Sequence, residues 1–151
     1  MVLVILAILA AFTIPAMLGF VEDARGKAAI SEAREVYVAA QAAASEFALS
    51  SDNFLDLSSK MSSKLNDYLA EDLDADKDYF GGEIVITAPG QSNYNFDLIK
   101  ETQNNYGKKV GRVLVVLDSN NQVEKIQYID KQGRYGVTII PGGSAEVTKI
   151  K

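Results

Sequence analysis

The chain has 151 residues, enough for one domain of ordinary size, and its 15 Lys+Arg against 20 Asp+Glu give a net charge of −5. That balance speaks against a nucleic-acid binder, because phosphate contacts draw on a surplus of Lys and Arg. Neither cysteine nor histidine occurs, so disulfides, thiolate and imidazole catalysis, and the usual zinc ligand sets are excluded.

The first element is the opening stretch "MVLVILAILAAFTIPAMLGFV", which holds no charge and a single hydroxyl residue, Thr13. As a helix, twenty such residues span roughly 30 Å, the thickness of a hydrocarbon core. A cleaved signal, a plain membrane anchor and a helix that buries itself against copies of itself all fit this stretch alone. The adjoining segment discriminates among them. From Glu22 to about Ser50 the sequence is rich in strong helix formers, with one interruption, Gly26. Ala29, Val36, Ala43 and Phe47 recur near helical spacing, as do Ile30, Ala33, Tyr37, Ala40 and Ala44. Charged residues fall between them, and Asp23 and Lys27 stand four apart, a spacing compatible with an ion pair. The prediction is one continuous helix of about fifty residues, far longer than the usual helix of a small domain. Its second half packs on a body; its first half projects as a bare apolar rod. Pro15 sits inside that rod, where it removes an amide donor and crowds the carbonyl of Ala11. It predicts either an ordinary kink or a weak point at which the helix unwinds when its surroundings change.

"VLVILAILAAFTIPAMLGFVEDARGKAAISEAR" resembles the N-terminal helix of the type IV pilins and the related pseudopilins. Ala11 to Pro15 matches the A-x-x-x-P segment of that family, and Asp23-Ala24-Arg25 matches its charged turn before an alanine-rich amphipathic helix. The resemblance covers roughly residues 1–50. It implies a basic leader removed by a prepilin peptidase, and a glutamate close to the mature terminus, both expected upstream of Met1. Where the family often carries a glycine before the proline, this chain has Ala7. It also implies methylation, a pilus assembly platform as partner, and residence in the membrane before export into a cell-surface filament.

Next along the chain, "SSDNFLDLSSKMSSKLNDYLAEDL" predicts a shorter helix with Ser51 or Asp52 as its cap. Phe54, Leu57, Met61, Leu65, Tyr68 and Leu69 form its apolar stripe. The same stretch offers no Ser-Lys dyad, since Leu57 and Met61 stand three residues before Lys60 and Lys64. "DLDADKDYFGGE" comes after it, with Asp72, Asp74, Asp76 and Asp78 alternating and Glu83 twelfth from Asp72. That spacing echoes a calcium loop, but Lys77 occupies the position where the sharp turn needs glycine. A solvated acidic linker accounts for the same letters, and calcium is the one cofactor with any signal.

Beyond Gly81-Gly82 the apolar period changes to two. "EIVITA", "RVLVVLD", "QVEKIQYI", "RYGVTII" and "AEVTKI" are predicted strands, with "YNFDLI" as a further candidate. "DSNNQ" and "PGGS" read as tight turns. The polar segment from Pro89 to Gly111 reads as an exposed loop. The expected fold class is α+β and pilin-like: a long N-terminal helix on a four- to five-stranded, mostly antiparallel sheet, with a second short helix. Residues 1–24 form the apolar half and 25–151 the head, divided into helix 25–50, a linking region 51–82 and a sheet 83–151.

The expected function is structural, and no enzyme is expected. The small residues Ala7, Ala10, Ala11, Ala16 and Gly19, with Phe12 and Pro15, are the candidate core of a helical bundle of identical subunits. A head-to-tail contact of this kind grows an open filament. A pseudopilin of a secretion or competence system is the nearest alternative. A monomeric, membrane-anchored binding module that uses calcium is the alternative from another class.

Overall fold

The computed structural model describes residues 2–48, 53–72, 84–88, 112–130 and 132–150. Two helices, α1 (Val2–Phe47) and α2 (Phe54–Asp72), precede five strands: β1 (Ile84–Thr87), β2 (Arg112–Leu117), β3 (Val123–Ile129), β4 (Tyr135–Ile139) and β5 (Glu146–Lys149). The strands lie side by side in chain order. β1 runs parallel to β2, and every later pair is antiparallel. This is the α+β architecture expected, with all five main strand candidates in place. The "YNFDLI" candidate and the loop around it lie outside the described residues.

α1 is a single helix that runs through Pro15 without a break. Its second half presents Ala29, Ala33, Val36, Ala40, Ala43 and Ala44 to the core, with Ile30, Tyr37 and Phe47 half-buried beside them. These are the residues of the predicted stripe. Ala39, also buried, lies just outside it. Alanine dominates because a helix lying flat on a sheet brings its backbone close, leaving room for small side chains only. The helix faces β3 and β4, while α2 packs against α1 and β1.

α2 buries Leu57, Met61, Leu65 and Leu69, as its sequence stripe requires. Its cap is Asn53 rather than Ser51 or Asp52. The Asn53 side-chain oxygen accepts from the Asp56 amide at 3.0 Å, and its Nδ2 donates to Asp56 Oδ2 at 2.8 Å. That reciprocal pair satisfies a backbone donor left over at the helix start, worth about 1 kcal/mol. Lys64 bridges back to Glu46 of α1 at 3.4 Å. The spacing-based pair of Asp23 with Lys27 is not among the ion pairs of the described residues. Both side chains are exposed there, where water competes successfully with so weak a contact.

Two aspartates shape the sheet. Asp118 Oδ1 accepts from the amides of Asn120 and Gln122, both at 2.8 Å, which folds "DSNNQ" into the β2–β3 turn. Asn121 takes a φ of 59°, a conformation asparagine tolerates better than most residues. Asp130 repeats the device between β3 and β4, its Oδ1 accepting from Arg134 and Tyr135 amides at 2.6 and 2.8 Å. Gly133 in that turn has a φ of 67°, which glycine adopts without penalty. "PGGS" closes β4 onto β5 through a Gly143 amide bond to the Ile140 carbonyl at 2.9 Å.

The main core lies between the helices and one sheet face, where Val113, Val115, Leu117, Ile126, Tyr128 and Val137 meet the two helical stripes. The opposite face carries a smaller buried cluster of Leu114, Val116 and Ile129, with Ile150 against it. β2 is therefore buried on both faces, which its unbroken "VLVVL" reflects better than any alternation.

Candidate functional site

The feature that sets this chain apart is the first half of α1. From Val2 to Val21 thirteen large apolar side chains are exposed, among them Leu3 at 80% and Phe12 at 78%. None of the described residues covers this segment, and none of its most apolar window is buried. It is long and apolar enough to cross a membrane. Full burial of a large aliphatic or aromatic side chain is worth about 1.5–3 kcal/mol, so thirteen of them represent on the order of 20 kcal/mol or more. Water is not a tenable resting place for the rod; lipid or another apolar surface is.

Each candidate core residue sits on this rod. Ala7, Ala10, Ala11, Phe12, Pro15 and Gly19 are exposed. Ala16 lies in the same helix, its side chain outside the described set. Ala7, Ala11, Pro15 and Gly19 succeed one another at four-residue steps. They therefore trace a single stripe of small or compact residues along roughly 18 Å of helix. A Cβ added at Gly19 meets nothing within 4 Å. Among the described residues this glycine has no packing role, yet it costs the helix about 1 kcal/mol relative to alanine. The Thr13 hydroxyl donates to the Leu9 carbonyl at 3.0 Å, so the rod's one hydroxyl is satisfied within the helix and needs no water.

The rod meets the body at Glu22, the first charged residue. Lys149 Nζ in β5 donates to Glu22 Oε1 at 2.8 Å, and the Tyr135 hydroxyl donates to the Glu22 carbonyl at 3.3 Å. The hydrogen bond and charge of the Glu22 carboxylate push the Lys149 ammonium above its ordinary pKa. One turn further along, the Tyr135 ring lies 3.9 Å from where a Cβ on Gly26 would be. Deeper in, the buried Tyr128 hydroxyl donates to Glu32 Oε2 at 2.6 Å. These contacts fasten the second half of α1 to β3, β4 and β5, so the rod projects from a fixed mount. The sequence pattern places Glu22 and Glu32 among solvated charges; their sheet partners are too distant in the chain for spacing to show.

The calcium candidates fall outside what the structure describes. Asp72 ends α2 with its side chain outside the described set, and Asp74, Asp76, Asp78 and Glu83 lie outside the described residues. Concavities on the described surface, such as one lined by Ser31, Arg34, Glu35 and Val38, are shallow and open on the flank of α1. No protein-family model, curated protein or solved structure matches the chain.

Proposed function

We propose that this chain is the structural subunit of a type IV-like filament, built by packing the apolar halves of α1 from many copies around a common axis. The observation that carries this reading is the pairing of an uncovered apolar rod with a rigid helical continuation locked onto a folded body. An anchor has no need of such a mount, since a flexible linker would tether a domain equally well. A filament subunit does, because the body must move with the rod into a fixed position.

Before assembly the rod is solvated by lipid tails. On assembly it exchanges lipid for neighbouring rods, so its apolar surface never meets water. The compact stripe through Ala7, Ala11, Pro15 and Gly19 lets backbones approach closely, and Phe12 and its large neighbours supply the dispersion contacts. Each copy meets different surfaces above and below, a head-to-tail arrangement that propagates instead of closing. The resemblance of residues 1–50 to pilins supports the same reading, and a prepilin peptidase and assembly platform are the partners it implies. A pseudopilin, assembling by the same contacts into a shorter filament, is the second reading; the same helix supports it.

Gly19→Cys tests the packing directly, because the native chain holds no cysteine. Because a head-to-tail contact offsets identical positions along the axis, a flexible bis-maleimide replaces a direct disulfide: on surface material it is expected to give covalent dimers through this position, with none from a cysteine at Asn120 in the β2–β3 turn. Monomer alone at both positions contradicts the reading.

A further inference from the structure

We propose that the end of the body from which the rod emerges is a docking surface for anionic lipid headgroups. Three cations meet at this point, and a fourth, Lys27, follows on α1. Lys149 is bonded to Glu22 at 2.8 Å, Arg25 lies close enough for its charge to reach the same carboxylate, and Arg134 lies close enough to oppose the charge of Lys149. Lys27 comes half a turn after Arg25 along α1. All four side chains are exposed. The Ile150 amide donates to the Arg134 carbonyl at 2.7 Å, which ties the β3–β4 turn to the end of β5 and holds both beside the helix.

The carboxylates at this end cancel most of that charge but not all of it: among the described residues, Lys149, Arg25, Arg134 and Lys27 stand against Glu22, Asp23 and Asp130. Glu22 and Lys149 neutralise one another, and Asp130 keeps its charge but is buried, held by two turn amides; the exposed charges left over are Arg25, Lys27 and Arg134 against Asp23. A basic collar thus sits on a chain whose overall charge is −5. Its position gives it meaning. The twenty apolar residues before Glu22 span roughly 30 Å, the hydrocarbon thickness, so the collar falls at the level of the headgroups when the rod crosses a bilayer. Each Lys or Arg brought to an anionic leaflet contributes about a fivefold preference, and the attraction dies away within a Debye length. Bound this way, the body is held down on the membrane while the rod waits in lipid, and assembly must lift it free. The inference rests on the rod occupying a bilayer before assembly.

The full-length chain in nanodiscs tests it. A donor fluorophore on Gln132→Cys, in the exposed turn beside Arg134, is read against acceptor-labelled headgroups in phosphatidylcholine alone or mixed with phosphatidylglycerol. Transfer is expected to be higher in the anionic discs and to fall at about 1 M salt, where the Debye length is near 3 Å. The triple variant R25Q/K27Q/R134Q, which leaves the Lys149–Glu22 bridge in place, is expected to lower the docked-to-lifted ratio on the order of 100-fold. Its thermal melt should be unchanged. Equal transfer in both lipids, or transfer that survives the triple substitution, overturns the proposal. Protease protection of residues 2–21 separates the two layers: a protected rod with flat transfer sinks the collar alone, whereas an unprotected rod sinks the membrane reading with it. Transfer that rises with protein density and is competed away by excess unlabelled chain assigns the collar to a second copy and overturns the lipid assignment.

Discussion

Ala10→Glu is expected to abolish filaments while leaving the body as stable as the parent. Ala10 lies in the exposed half of α1, well before the body's core, which begins at Ala29. A carboxylate at this depth must be carried through lipid at about 2.5–3.5 kcal/mol. It must then enter a helix bundle in which no cationic side chain from residues 1–24 is available to meet it. An unpaired charge in such surroundings costs several kcal/mol. Since about 1.4 kcal/mol is a factor of ten in association, each contact weakens on the order of 100-fold, and every subunit repeats the defect. Ala10→Val, apolar and of modest size, separates charge from bulk and should assemble, if less well. Filament yield by electron microscopy and the thermal midpoint of the body are the paired readouts. Normal filaments from the glutamate variant would remove the rod from the assembly contact.

The second large effect is on the body itself. Tyr128 is fully buried on β3, and its hydroxyl reaches Glu32 on α1, so one side chain fills the helix–sheet core and pins the helix. Tyr128→Ala is expected to cost about 3–5 kcal/mol, a large share of the roughly 5–15 kcal/mol available. Tyr128→Phe keeps the ring and loses the bond to the carboxylate, for about 1.5–3 kcal/mol. Glu32 is only half-buried, so water can take up its oxygen and the lower part of that range is expected. Chemical denaturation should show the midpoint falling in the order parent, phenylalanine, alanine, with no change of slope. An alanine variant as stable as the parent would mean that α1 is not held as described.

Much of this fold is legible in the letters because local period and burial agree. The alanine-rich stripe of α1, the leucine stripe of α2 and the five alternating or continuous apolar runs each state their own element. What escapes is whatever depends on partners far along the chain. Glu22 and Lys149 are separated by 127 positions and Glu32 and Tyr128 by 96; no spacing rule spans such distances. The α2 cap is ambiguous by one or two residues because Ser51, Asp52 and Asn53 all have capping side chains. Only the reciprocal bond with Asp56 singles out Asn53. The turn aspartates escape for a similar reason, since Asp118 and Asp130 look like any surface carboxylate until their amide partners are in view. The rod is the most legible feature of all: its exposure is the direct consequence of twenty apolar residues preceding a body already supplied with a core.

Electron microscopy of material sheared from cells expressing this chain decides whether the rods polymerise. Filaments composed of the chain are expected, with residues 2–21 of successive copies gathered in a dry axial bundle and the five-stranded sheets turned outward. A chain recovered only as single molecules in the membrane fraction, never polymerised with itself or with related subunits, would contradict this.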